Sequence, residues 1–154
     1  MGVGEAITLS LESSAAVAGA VSVELSFSGL SALGADFSAA TTVEIPDGAN
    51  SSEVVINTLT DNLYEDLENI IVSVERVNGN AVVGASAVTE VLLNDGDPEP
   101  EFSIAANQVE GAEGTTFEFT VSPDVVSQAN RSVTLNYSGT AVNGEDFFGE
   151  TSLV

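Results

Sequence analysis

The sequence contains no cysteine, no histidine, no lysine and no tryptophan, and its only cationic side chains are Arg76 and Arg131. Without cysteine the chain has no disulfide bond and no thiolate chemistry. Without cysteine and histidine it also lacks the usual ligands of zinc. Two arginines cannot form the clusters of positive charge that bind nucleic-acid phosphates or anionic membrane surfaces. No run of about 18 apolar residues is present, so no membrane insertion is predicted.

The acidic residues, in contrast, are abundant. Aspartate and glutamate number 24, which gives a net charge of −22. Partners that suit such a chain are metal cations, basic proteins and neutral glycans. Many of these acids are interpreted as a solvated acidic surface, and Asp47 and Asp66 are interpreted as turn and surface residues. The clustered acids have a more specific interpretation, given below.

Apolar and polar residues alternate along much of the chain, which is typical of half-buried β-strands. The clearest apolar rows are Ile7-Leu9-Leu11, Val21-Val23-Leu25-Phe27, Ile70-Val72-Val74, Ala87-Thr89-Val91-Leu93, Phe117-Phe119-Val121 and Val133-Leu135-Tyr137. No segment shows a sustained helical period. Short strands separated by Gly-, Asn-, Asp- and Ser-rich turns predict an all-β fold, an immunoglobulin-like antiparallel β-sandwich.

An internal repeat is visible between residues 23–37 and 133–147. The two segments align without a gap, and seven of the fifteen positions are identical, including the glycine, aspartate and phenylalanine of a G-x-D-F turn. This match predicts a tandem repeat: a sandwich over 1–97, a proline-containing linker over 98–100, and a second copy over 101–154 that stops about halfway.

Several carboxylates fall in the segments between strand-like rows of the first copy. They are Asp36, Asp61, Glu65, Glu68, Asp95 and Asp97. Turns at one end of a sandwich can gather such groups. Two carboxylates about 4 Å apart repel by roughly 4 kcal/mol at an effective dielectric constant of about 20. A cluster therefore needs a counter-charge, and Ca²⁺, which takes six to eight oxygen ligands in flexible geometry, suits it better than Mg²⁺.

Four segments carry a family resemblance. They are Gly34-Ala35-Asp36-Phe37, Ile45-Pro46-Asp47-Gly48, the acidic stretch Asp61-Asn62-Leu63-Tyr64-Glu65-Asp66-Leu67-Glu68 and the closing Leu93-Asn94-Asp95-Gly96-Asp97. Together they resemble the Calx-beta domain, whose signature includes G-x-D-Y/F, an apolar-Pro-x-Gly turn, D-D-x-x-x-E-x-x-E and a final run of aspartates. That module is found in sodium–calcium exchangers and in many bacterial surface proteins.

The resemblance implies a set of calcium ligands. In the first copy the set is Asp36, Asp61, Glu65, Glu68, Asp95 and Asp97, and in the second copy it is Glu110 and Asp146. The family also uses a glutamate ahead of its first strand. Glu110 fits that place in the second copy, whereas the matching position of the first copy falls near Met1, so Glu5 is a poor substitute.

The leading hypothesis is therefore a calcium-binding module of a multi-repeat extracellular or cell-surface protein of the adhesion type. Calcium and neighbouring repeats would be its partners, and calcium would rigidify the domain and its junction. The alternatives are a metal-independent acidic spacer and, with less support, a carboxylate-based glycosidase. Because no catalytic motif is present, the chain is predicted not to be an enzyme. The uncovered strands of 101–154 also predict self-association through that segment.

Overall fold

The computed structural model describes residues 4–85 and 87–154 of the chain. The chain divides into two compact units, Met1–Pro98 and Glu99–Val154. Every regular element in the described residues is a β-strand. A helix long and apolar enough to cross a membrane is accordingly absent from those ranges.

The first unit contains eight strands among its described residues. They are β1 (Ala6–Glu12), β2 (Val21–Gly29), β3 (Phe37–Ala39), β4 (Thr42–Ile45), β5 (Ser51–Thr58), β6 (Leu63–Tyr64), β7 (Glu68–Asn78) and β8 (Val88–Leu93). Two antiparallel sheets account for seven of them, one with the strand order β1-β5-β3 and the other with the order β4-β2-β7-β8.

The core lies between these two sheets. Phe37 on β3, Ile56 on β5 and Ile70 on β7 are completely buried and belong to one apolar cluster. A second cluster joins the alternate residues of β2 to Ile45 and Val54. Both clusters draw side chains from both sheets, because alternation places every second residue of a strand on the same face. The prediction of an antiparallel β-sandwich is confirmed.

A β-bulge interrupts the pairing of β2 with β7. Leu25 pairs with Val74, but Glu24 pairs with Arg76, so Glu75 is an extra residue without a partner of its own on β2. In a regular strand, residues three positions apart point to opposite faces. The bulge shifts this alternation by one residue, so Val74 and Val77 both pack against the core. Next to it, the Arg76 guanidinium and the Glu24 carboxylate form a surface ion pair at 2.6 Å.

The second unit contains five strands. They are β9 (Phe102–Ala106), β10 (Phe119–Pro123), β11 (Val126–Ser127), β12 (Val133–Thr134) and β13 (Ser152–Leu153). Within this unit β9 pairs with β10, and β12 pairs with β13.

The geometry of the first unit recurs in the second at the spacing of the sequence repeat. Val23 pairs with Val43 in the first unit, and Val133 pairs with Leu153 in the second, so both partners move by 110 positions. The aromatic pair Phe27–Phe37, with ring centroids 5.6 Å apart, has its counterpart in Tyr137–Phe147, at 5.3 Å. The repeat is therefore structural as well as sequential.

Candidate metal centre

Asp36 lies in a tight turn just before β3. Gly34 has a φ angle of 92°, a conformation that L side chains rarely adopt, and its N–H donates to the carbonyl oxygen of Phe37 at 2.7 Å. The Asp36 N–H donates to the carbonyl oxygen of Ala32 at 2.9 Å, and the Ala32 N–H donates in return to the Asp36 carboxylate. Since the next residue, Phe37, is completely buried, the turn holds the carboxylate in place beside the core.

Glu65, which lies between β6 and β7, and Glu68, which begins β7, both approach Asp36. Glu68 is the first residue of β7, where it pairs with Leu93 of β8. The N–H of Glu65 donates to Oδ2 of Asp95 at 2.7 Å, which fixes the backbone of that segment. Strand pairing at one end of the sandwich therefore brings together residues that lie about 30 positions apart in the sequence.

The three carboxylates form a compact group. Asp36, Glu65 and Glu68 each offer an oxygen atom, and these oxygens all lie within 4.8 Å of one another. A calcium ion with bonds of 2.3–2.6 Å holds oxygens that are at most about 5.2 Å apart, so the spacing suits such an ion. The depression that they line has a cavity volume of about 10 Å³, roughly the room that one water-sized particle needs.

Mutual repulsion and partial burial affect Glu65 most strongly. Burial raises the pKa of the Glu65 carboxyl to about 7, with further contributions from the charges of Asp36, Glu68, Asp61 and Asp95. A group in such a field binds a proton or a cation more readily than an ordinary surface carboxylate. The electrostatics of the cluster therefore favour a positively charged ligand.

Glu68 gives an independent indication. Its Oε2 atom is buried and has no hydrogen-bond partner among the described residues. A buried carboxylate oxygen without a donor is energetically costly, and such an atom calls for a counter-ion or another missing partner. A bound cation would satisfy it, so the donor set fits a hard divalent metal ion that prefers oxygen ligands.

The other predicted ligands of the first unit lie around this group in different roles. Asp61 and Asp95 line the same depression. Asp95 also accepts an N–H bond on each oxygen, from Glu65 at 2.7 Å and from Asp97 at 3.1 Å. Asp97 is connected to the site through that backbone bond and is not among the lining residues. Asp66 does line the depression, although sequence analysis interpreted it as a surface residue.

The two predicted ligands of the second unit do not form a comparable group. Asp146 lies in a turn that copies that of Asp36, with its carboxylate accepting the N–H of Val142 at 2.8 Å. Glu110 is exposed and precedes β10. Within residues 4–85 and 87–154, Asp36, Glu65 and Glu68 are the only such group of three metal-ligating side chains. Glu5, the doubtful candidate, contacts Thr58 through its backbone.

The first unit is thus an antiparallel β-sandwich module with a carboxylate cluster at one end. Comparison with known protein families shows which family it belongs to. The family model of the Calx-beta domain matches residues 1–97, which is more than half of the 154 residues. The chain belongs to the Calx-beta domain family, as the four sequence segments indicated.

Two solved structures share the fold of this chain. The calcium binding domain CBD12 of CALX1.1 is 16% identical, with a TM-score of 0.51 over 58% of this chain and 38% of that one. CBD12 from CALX1.2 is 13% identical, with a TM-score of 0.53 over 79% of this chain and 62% of that one. The chain therefore spans 38% and 62% of the lengths of these two structures. No curated protein matches the chain.

Proposed function

We propose that this chain is a calcium-binding module in which Asp36, Glu65 and Glu68 coordinate the ion. The observation that carries the proposal is the group of three carboxylate oxygens within 4.8 Å, one of whose members, Glu68, has a buried oxygen without a hydrogen-bond partner in the described chain. Asp61 and Asp95 complete the coordination sphere directly or through water, because both line the same depression. Calcium is preferred over magnesium, since the ligands come from separate segments of the chain and calcium accepts six to eight oxygens in flexible geometry, whereas magnesium demands a near-ideal octahedron.

Isothermal titration with calcium and with magnesium tests this proposal on the full chain. Glu68→Gln keeps the shape of the side chain but removes one charge, and we expect it to weaken calcium binding by at least about tenfold. Glu53→Gln is the matched control, because Glu53 is exposed on β5 and lies five residues along the strand from Thr58, which pairs with Phe37 next to the cluster. Equal effects of the two changes would show that net charge alone attracts the ion, as the acidic-spacer alternative requires.

The proposal extends to the mechanical role of the ion. Asp95 links the Glu65 backbone to the Asp97 backbone, directly before the proline-containing segment 98–100. A bound calcium ion would neutralise the repulsion among the carboxylates and so keep Asp95 in position. Calcium would thereby rigidify the module and its junction with a neighbouring repeat. Hydrogen exchange at the Glu65 and Asp97 amides should slow when calcium is added. Unchanged exchange at both amides would confine the effect of calcium to the site itself.

We further propose an extracellular or cell-surface setting, in a multi-repeat protein of the adhesion type. Extracellular calcium modules work with dissociation constants of about 0.1–1 mM, which a site with a few charged ligands can reach. Surface labelling of cells that produce the parent protein, with an antibody against this chain, tests the setting. Labelling only after permeabilisation would contradict it.

The module is proposed to have no enzymatic activity. The acidic depression, with a cavity volume of about 10 Å³, is far smaller than the roughly 300–1,000 Å³ of typical ligand pockets. A sugar ring therefore has no room beside the carboxylates, which speaks against the glycosidase alternative. Turnover of aryl glycosides by the purified chain, lost in Glu65→Gln, would overturn this view.

A further inference from the structure

The segment between β2 and β3 carries Asp36, and it is attached to β7 at Asn69. The N–H groups of Leu30 and Ser31 both donate to the backbone carbonyl oxygen of Asn69 at 3.1 Å. The Leu30 N–H also donates to the side-chain Oδ1 atom of Asn69 at 2.9 Å. Because Asn69 directly follows Glu68, the segments that supply two of the three clustered carboxylates meet at this residue.

The side chain of Asn69 lies on the outer face of the sheet and is not among the groups that line the acidic depression. Its neighbour Ile70 is completely buried, so the alternation along β7 directs Asn69 outward. There its Nδ2 atom donates to Oε1 of Glu90 on β8 at 2.7 Å. Only one orientation of the amide suits both partners, because the Leu30 N–H requires an acceptor and the Glu90 carboxylate requires a donor. The side chain therefore ties the segment after β2 to β8.

Gly29 allows the chain to pass this close to Asn69. Its φ angle is 120°, and a Cβ atom at this position would clash with the carbonyl oxygen of Asn69 and lie 2.9 Å from its Oδ1 atom. Any other residue would therefore push the segment away from β7. Leu30 is largely exposed but Ser31 is buried, so the bonds to Asn69 hold the chain at the point where it enters the interior.

Short connections lead from Asn69 to two of the proposed ligands. Ser31 is followed by Ala32, whose N–H donates to the Asp36 carboxylate and whose carbonyl oxygen accepts the Asp36 N–H at 2.9 Å. One peptide bond thus separates the residue that Asn69 holds from the residue that holds Asp36. On the other side, Asn69 and Glu68 share a peptide bond. Calcium–oxygen bonds vary over only about 0.3 Å, so the distance between the two ligands must be set closely.

We propose that Asn69 is a positioning residue of the calcium site, whose bonds to Leu30 and Glu90 set the separation of Asp36 and Glu68 before the ion binds. The inference rests on the proposed function, because it concerns the affinity of the same site. Asn69 acts through its neighbours and not as a ligand, since it does not line the depression. Loss of a hydrogen-bonding partner that orients metal ligands typically reduces metal affinity by about 10–100-fold.

Calcium titration of the full chain tests the role of the Asn69 side chain. Asn69→Ala removes both of its bonds, and we expect the dissociation constant for calcium to rise by about tenfold or more. The matched control is Asn78→Ala. Asn78 is the last residue of β7, and its Nδ2 atom donates to Glu24 at 3.1 Å, so the control removes a similar exposed bond at the far end of the same strand. Its calcium affinity should equal that of the unaltered chain.

A rescue variant separates positioning from charge. Asn69→Asp keeps an acceptor for the Leu30 N–H, but it sets a carboxylate against that of Glu90, and the repulsion should weaken calcium binding. Adding Glu90→Gln exchanges the donor and the acceptor of this bond, so both bonds are restored while the net charge stays at −22. The double variant should recover most of the affinity. Binding as weak as that of Asn69→Asp alone would overturn the proposal.

Hydrogen exchange in chelator gives a second measurement that needs no metal. The Ala32 amide, which donates to Asp36, should exchange faster in Asn69→Ala than in Asn78→Ala or the unaltered chain. Equal exchange rates would overturn the proposed connection to Asp36.

The outcomes also separate this inference from the proposed function. An unaltered chain that does not bind calcium would overturn both. An unaltered chain that binds calcium no more tightly than Asn69→Ala would overturn only the role of Asn69, even if the variant melts at a lower temperature, because Asn69 would then stabilise the fold alone. If circular dichroism shows Asn69→Ala unfolded, the comparison of Asn69→Asp with the double variant decides.

Discussion

The turns before Phe37 and Phe147 have almost the same backbone but different surroundings. In both, the glycine N–H donates to the phenylalanine carbonyl at 2.7 Å, and the aspartate N–H donates to the residue four positions earlier at 2.9 Å. Asp36 has Glu65 and Glu68 beside it, whereas no such group surrounds Asp146 among the described residues. The comparison teaches that a short motif fixes where an aspartate lies, but that only the long-range topology brings further carboxylates to it.

The largest difference between the two turns should appear in stability. Phe37 is completely buried and Phe147 only partly. Phe37→Ala should therefore cost about 3–5 kcal/mol of the free energy of unfolding of the first unit. Phe147→Ala should cost about 1 kcal/mol or less. Urea titrations followed by circular dichroism would measure both. Similar losses would mean that the second unit is as tightly packed as the first.

Calcium should stabilise the chain through one turn and not through the other. At a calcium concentration a hundred times its dissociation constant, the gain in unfolding free energy should be about 2.7 kcal/mol. Asp36→Asn should reduce the gain to a fraction, and Asp146→Asn should leave it intact. Melting temperatures with calcium and with chelator, at equal ionic strength, would show it. A gain that survives Asp36→Asn would remove Asp36 from the site.

The effect of pH on stability, measured without metal, also distinguishes the surroundings of the two turns. Burial and the neighbouring carboxylates raise the pKa of Glu65 to about 7 in the folded chain, above the ordinary glutamate value of about 4.5. The folded state therefore holds an extra proton between these values, and stability contributed by protonated Glu65 is lost as the pH rises through 7. Since the chain has no histidine, no other side chain ordinarily titrates there.

In chelator, the melting temperature should thus fall between pH 5 and pH 8. Glu65→Gln should flatten that fall. Glu145→Gln, which removes a charge beside the Asp146 turn, should leave the slope as it is. Parallel curves for all three proteins would show that Glu65 is an ordinary carboxylate.

The smallest expected effect comes from the two turn glycines. Gly34 and Gly144 have φ angles of 92° and 96°, and a Cβ atom at either position would meet nothing within 4 Å. Alanine there introduces backbone strain without a clash, at about 1–2 kcal/mol. Gly34→Ala should also weaken calcium binding because it displaces Asp36, whereas Gly144→Ala should not. Identical calcium affinities of the two variants would show that the Asp36 backbone tolerates the strain.

Local sequence patterns predicted much of this structure. Period-2 alternation predicted the buried faces, since Val21, Val23 and Leu25 are all buried on β2. The G-x-D-F motif predicted a turn that both units contain. These features depend on residues a few positions apart, so the sequence displays them directly. The same motifs indicated the family, which the match over residues 1–97 shows.

Features that depend on distant residues were less accessible. Sequence could group six acids of the first copy, but not tell that Glu68 opens β7, that Asp66 lines the depression, or that Asp97 bonds to Asp95 through its backbone. Those distinctions follow from how β7 pairs with β8. The pKa of Glu65 likewise depends on burial by side chains from separate segments. Coordination by the set as a whole stays a prediction.

The bulge at Glu75 has a consequence for how the length of this strand can vary. Removing one residue from a paired strand normally turns the rest of it inside out. Deleting Glu75 would not, because the pairs on either side, Leu25 with Val74 and Glu24 with Arg76, would simply become consecutive rungs of a regular ladder. A deletion of Ser73 would instead misplace every inward side chain beyond it. Position 75 is therefore a place where evolution can remove a single amino acid without disturbing the core.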